Sequence, residues 1–152
     1  MAEFEYFNLH DVDPTFKPVD AGVYTLQCAK MTAQKKTPAS GKMAGQETLM
    51  INGTFIVTGD PTYSGRRFFN TFWIHNPYDQ KALRKLMDRT GVAQNPGESL
   101  IDWLAKMTQI QPTFKAKVDV VVEPVYPPEV GEDGLPITAP VNKVDFRSIS
   151  AA

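Results

Sequence analysis

A single cysteine, Cys28, is all the thiol chemistry this 152-residue chain carries. An internal disulfide framework is therefore excluded, and a reducing compartment is the expected setting. Only two histidines occur, His10 and His75, too far apart to form a zinc site with one thiol. No apolar run approaches the roughly 18 residues of a membrane span. The opening MAEFEYFNLHD lacks the basic and apolar regions of a secretory signal. Also missing are a Gly-rich phosphate loop, H-E-x-x-H, paired cysteines and G-x-S-x-G, and with them any sequence ground for an enzyme, a resident metal or a cofactor. Asp11 and Asp13 open like a calcium loop, but Pro14 follows and the distal glycine and glutamate do not. The expectation is a soluble, cytoplasmic, non-enzymatic protein with no membrane partner.

What is present points to β structure. Twelve prolines and ten glycines exceed what a compact helical bundle tolerates, while ordinary apolar and charged fractions argue for one globular domain. The net charge of -1 conceals an asymmetry. Residues 30–117 carry thirteen Lys/Arg against six Asp/Glu, whereas the flanks on both sides are acidic. A basic middle between acidic ends suits a polyanion-binding surface, because the local field rather than the total charge steers a ligand.

Hydrophobic period divides the chain. Residues 1–21 read as an irregular arm that packs Phe4, Tyr6, Phe7 and Phe16 onto the domain of residues 22–152. GVYTLQCAKM alternates, with Tyr24, Leu26 and Cys28 on one face, as a half-buried strand does. Residues 34–46 form a mobile basic loop with Lys35, Lys36 and Lys42. ETLMINGTFIVTG is a second strand with Leu49, Ile51, Phe55 and Val57 in phase, and Gly53 within it marks a bulge or bend. RRFFNTFWI is the third. NPYDQKALRKLMDRTGV then switches to helical spacing, between Pro77 and Gly91, with Lys81, Arg84, Lys85 and Arg89 flanking the apolar positions. A second helix is expected over 98–109, capped near Ser99, with Leu100, Ile101, Leu104 and Met107 inward. PTFKAKVDVVVEP alternates again, placing Phe114, Ala116, Val118, Val120 and Val122 inside and Lys115, Lys117 and Asp119 outside. Residues 124–140 read as an extended, poorly ordered acidic Pro-rich loop before the last strand, VNKVDFRSI. Three strands, a helical insertion and two strands are the layout of a five-stranded OB-like barrel with helices between strands three and four.

The third strand holds the chemistry. Phe68, Asn70, Phe72 and Ile74 share one face and belong inside. Arg67, Phe69, Thr71, Trp73 and His75 share the other, and Tyr63 lies just ahead in the turn. Large rings on an outward face need a cover. Single-stranded nucleic acid supplies one, its bases stacking on the rings while cations track the phosphates. Packing beneath the N-terminal arm or the acidic loop is the alternative cover. The expected site is Lys35, Lys36, Lys42, Tyr63, Arg67, Phe69, Trp73, His75, Lys115 and Lys117.

The order of these features resembles a family of phage single-stranded-DNA-binding proteins of replication and recombination loci. The resemblance rests on Gly22-Val23-Tyr24, the Lys35 to Lys42 loop, Thr54 to Gly59, Tyr63-Ser64-Gly65-Arg66-Arg67-Phe68, Asn76-Pro77 with the helix to Gly91-Val92, and Lys115-Ala116-Lys117-Val118, over roughly residues 20–123. It implies an OB-like fold, binding of single-stranded DNA, and phage recombinase or replication proteins as partners, with a homo-oligomer left open. The C-terminal DFRSISAA departs from the acidic tail of bacterial single-stranded-DNA-binding proteins, and Glu129, Glu132 and Asp133 offer a replacement for it. A β-rich structural or adaptor protein of a phage particle is the competing expectation.

Overall fold

A computed structural model describes residues 6–11 and 17–152. Five strands form one antiparallel sheet: β1 (Gly22–Lys36), β2 (Thr48–Thr58), β3 (Arg67–Trp73), β4 (Thr113–Pro124) and β5 (Thr138–Ala151). Helices α1 (Pro77–Thr90) and α2 (Leu100–Ile110) lie between β3 and β4. The strand order is β3-β2-β1-β4-β5, which leaves β3 and β5 as unpaired edges of an open sheet. The expected mostly β class and helical insertion are present; hydrogen-bonded closure of a barrel is not.

The sheet is nonetheless strongly curled. In a flat sheet the first and fifth strands would lie about 19 Å apart. Here Phe72 of β3 and Phe146 of β5 stack edge to face with centroids 5.1 Å apart. Phe146 also packs on Phe55, which meets Phe114 at 5.7 Å. These four rings are the centre of the core. Gly53 is what lets them fit. A Cβ there would lie 2.8 Å from the Phe55 ring, so the ring lies across bare backbone. The bulge expected at Gly53 sits instead in the neighbouring strand, where the β1–β2 register slips between Cys28 and Lys30. That slip moves the buried positions of β1 from Leu26 and Cys28 to Met31, an odd spacing that a period of two cannot anticipate.

Each helix begins and ends where its residues dictate. The Asn76 side chain accepts from the Tyr78 N–H, Pro77 occupies the first turn, and Gly91 closes α1 in the left-handed region. The Ser99 side chain caps α2 by accepting from the Asp102 N–H. On α2 the buried face is Trp103, Leu104 and Met107, while Ile101, expected inside, is exposed. Trp103 donates to the Val92 carbonyl at 2.7 Å. The end of α2 also serves β1 where β4 stops pairing with it: Thr108 Oγ1 bonds both the N–H and the carbonyl of Met31, and Gln111 donates to the Ala29 carbonyl. Backbone groups next to the bulge are thereby satisfied.

Two devices bridge the open side. Asn142 on β5 exchanges two 2.8 Å hydrogen bonds with the backbone of Val19, and Arg66, just before β3, donates to the Lys17 carbonyl. Further along, α1 lies across the gap, with Lys85 Nζ on the Arg147 carbonyl at 2.6 Å. The expected arm is only partly realised. Tyr6 and Phe7 are exposed rather than packed on the domain, and Phe4, Asp13, Pro14 and Phe16 lie outside the described residues.

The alternation of β4 misleads in its second half. Phe114, Ala116 and Val118 are buried, but Val120 and Val122 are exposed. Beyond Val118 the strand has outrun β1 and pairs only with β5, so residues 119–143 form a projecting two-stranded arm. Its tip is not the expected loose loop. Val125 N–H bonds Ile137, Ile137 N–H bonds Glu129, and Gly131 N–H bonds Leu135, each at 2.9 Å.

Candidate nucleic-acid interface

β3 presents its two faces as its alternation requires. Phe68 and Phe72 are buried in the core, while the Phe69 ring is 75% exposed. Among the described residues neither the N-terminal segment nor the acidic arm covers it. Trp73 lies at the other end of the strand, half-buried, with its ring 5.8 Å from that of His75. The strand stops at Trp73, so His75 belongs to the following turn rather than to the strand face. Its Nδ1 is 2.8 Å from Thr48 Oγ1.

Register shows which side chains accompany these rings. Phe69 lies opposite Thr54, which lies opposite Lys30; Thr71 opposite Asn52, then Thr32; Trp73 opposite Met50, then Gln34. One row further, Thr48 pairs with Lys36. Arg67 pairs with Ile56 at the opposite end. Across β1, Thr25 faces Lys115 and Val23 faces Lys117. The outer face thus carries Lys30, Lys36 and Arg67 in the rows beside Phe69 and Trp73, and Lys115 and Lys117 on β4, three strands from β3, with Asn52 and Thr71 hydrogen-bonded at 3.1 Å between the rings. Strands β1, β2, β3 and the first half of β4 contain no Asp or Glu at all. Lys30, Lys36, Arg67 and Lys115 make no ion pair among the described residues, and Lys117 meets Asp119 at 3.6 Å.

Two expected residues fall elsewhere. Lys35 and Lys36 belong to the end of β1 rather than to a loop, and as consecutive strand residues they take opposite faces. Lys35 pairs with Leu49 on the inner side and meets Glu47 at 3.7 Å. Tyr63 packs edge to face on Tyr24 beside Asp20, and its hydrogen bond with the Asp20 carboxylate raises the phenol pKa above its ordinary value. It is a structural contact at the sheet's end, off the aromatic face. Lys42 is placed as expected. Its loop, residues 37–47, leans over the end of β3, and Lys42, Met43, Trp73 and His75 line a cleft of about 300 Å³. A second cleft of about 300 Å³ adjoins Phe69 and Arg67, between Lys17 and Arg66 on one side and Pro140 and Asn142 on the other.

Sequence reasoning missed Lys30, Asn52, Met50 and Ile56. Alternation of β2 marks its inner residues, and hence by subtraction its outer ones; Lys30 was hidden by the bulge before it. Among the described residues no three His, Cys, Asp or Glu side chains gather to hold a metal ion, and no helix is long and apolar enough to cross a membrane. No protein-family model matches the chain, and no curated protein matches its sequence.

Proposed function

We propose that the protein binds single-stranded DNA without sequence preference along the outer face of β3, on an OB-like fold. The observation that carries this reading is the open Phe69 ring, aligned with Trp73 on a surface that has five cations and no carboxylate on its central strands. Aromatic faces accept any base by stacking, and unpaired lysines and arginines neutralise the phosphates between. From Arg67 to Trp73 the strand spans about 20 Å, with a cationic cleft at each end. The strand order supports the fold assignment, because it is that of a five-stranded Greek-key barrel opened between its third and fifth strands. The clefts beside the β1–β2 loop and the β4–β5 arm flank the face such barrels use for oligonucleotides. The setting in phage replication or recombination, in the host cytoplasm and alongside a recombinase or replication protein, follows from the sequence resemblance.

Titration with a poly-dT oligonucleotide tests the reading. Tryptophan emission should be quenched in wild type, unchanged in its response by Trp103→Phe, and largely unresponsive in Trp73→Ala, because Trp103 is buried in the helical layer. Affinity should fall as salt rises, log K against log salt having a slope of about -0.7 for each phosphate neutralised. Absence of binding to DNA or RNA at low salt would refute it and leave the β-rich adaptor reading, which the exposed apolar arm favours.

A further inference from the structure

The arm formed by residues 119–143 has a surface that its own molecule does not use. Tyr126 is 94% exposed, Val122 68% and Leu135 63%. From Lys117 to Lys143 there is no intervening cation, while Asp119, Glu123, Glu129, Glu132 and Asp133 are all acidic. The backbone bonds across the tip hold these groups in a fixed shape. Apolar side chains gathered on a projecting acidic ribbon mark a protein contact.

The same molecule carries the complement. Between α1 and the unpaired edges of β3 and β5 lies a cleft of about 610 Å³, floored by Phe72, Ala82, Val144 and Phe146 and rimmed by Lys81, Lys85 and Arg147. Its carboxylates are already engaged: Asp79 accepts from the Trp73 N–H at 2.8 Å and Asp145 from Arg147. Both carboxylates keep their charge, and Arg147 Nε pairs with Asp145 at 3.3 Å, so Lys81 and Lys85 against Asp79 leave the rim with one cation in excess. Its walls are strand edges, whose backbone groups suit an extended segment.

We propose that the acidic arm tip of one copy docks in the α1–β3–β5 cleft of a second copy. Charge and shape together select this occupant. Arm against arm would set acidic ribbons together, and the outer face, although cationic and carrying the Phe69 and Trp73 rings, is not a cleft walled by unpaired strand edges that could hold an extended segment. The cleft supplies both an apolar floor and a cationic rim. The contact joins two different patches, so it propagates head to tail instead of closing as a symmetric dimer. It leaves the outer face of β3 free on every copy, and successive copies would present their DNA faces side by side.

Sedimentation velocity on the full chain over a concentration series, at about 50 mM and 200 mM salt, tests it. Wild type should show mass above the monomer at low salt that grows with concentration and declines at high salt. Lys81→Glu alone, and Glu129→Lys with Glu132→Lys, should each give monomer, and the three changes together should restore assembly. Ala82→Trp, which fills the cleft without changing charge, should also give monomer. Circular dichroism confirms that each variant is folded. A wild type that stays monomeric throughout overturns the proposal, as does a charge exchange that fails to restore assembly. Stronger assembly in the Glu129→Lys, Glu132→Lys variant overturns it in favour of arm–arm pairing. Assembly that survives Ala82→Trp but dissolves on adding oligo-dT overturns it in favour of docking on the outer face. Oligonucleotide affinity, measured on the monomeric variants, should stay within a few-fold of wild type, so the two readings fail separately.

Discussion

Phe69 and Phe72 are three residues apart on one short strand, and the structure assigns them opposite work. Phe72 is fully buried, its ring against Phe146 at 5.1 Å on the open side of the sheet. Truncating it to Ala removes the contact that draws β3 towards β5 where no hydrogen bonds do so. A core Phe→Ala change costs about 3–5 kcal/mol, and in a chain of this size each kcal/mol lowers the midpoint by about 2–4 °C, so a fall of about 6–20 °C is expected. Phe69 keeps only a quarter of its surface from solvent. Full burial of such a side chain stabilises by about 1.5–3 kcal/mol, so the quarter that is buried is worth under about 1 kcal/mol. Phe69→Ala should therefore melt within a few degrees of wild type while losing about 1–3 kcal/mol of binding, roughly 5- to 150-fold in affinity. Urea denaturation followed by circular dichroism measures the first quantity, and anisotropy of a labelled dT oligonucleotide at one fixed salt concentration the second. If Phe69→Ala is the more destabilising change, the face assignment is reversed. If it binds as tightly as wild type, the stacking platform is not on this strand.

The other expectations are briefer. Lys30→Ala, Lys36→Ala and Lys115→Ala combined should reduce the salt slope by about 2, whereas Lys35→Ala should leave it unchanged; equal effects would deny the separation of faces at the end of β1. Gly53→Ala forces the Phe55 ring to move from a core it shares with Phe114 and Phe146, and a loss of about 1–3 kcal/mol is expected by denaturant titration, with a neutral result showing that the ring has room. Burial pushes the Cys28 thiol from 9.0 up to about 12, so alkylation at pH 8 should be very slow in the native protein and rapid in denaturant; fast native labelling would contradict the packing. Because the unfolded thiol ionises first, its contribution to stability is present below pH 9 and is lost progressively as pH rises from there towards 12, which denaturation in that window, compared with Cys28→Ala, would register.

Much of this was legible in the residues. The caps of α1 follow from Asn76, Pro77 and Gly91, whose preferences are local, and the two faces of β3 follow from alternation, because a strand with one side in a core must sort its side chains that way. The outward Phe69 and the cations Arg67, Lys115 and Lys117 needed nothing more. What the tertiary structure alone decided is where the core ends. Val118 and Val120 have the same period and the same character, and only the extent of β1 beside them buries one and exposes the other. The bulge at Ala29 likewise moved Lys30 onto the outer face, since a single extra residue inverts every position after it, and Lys35 and Lys36 parted company because the strand ran on past the sequence signal for a loop. Ile101 turned outward for a related reason: like Trp103 it lies near the apolar stripe of α2, and the direction of the neighbouring sheet determines which of them is buried. Closure belongs to the same class. Alternation states which side of each strand faces a core but carries no information about whether two distant edges meet, and here the rings of Phe72 and Phe146 meet while their backbones remain apart.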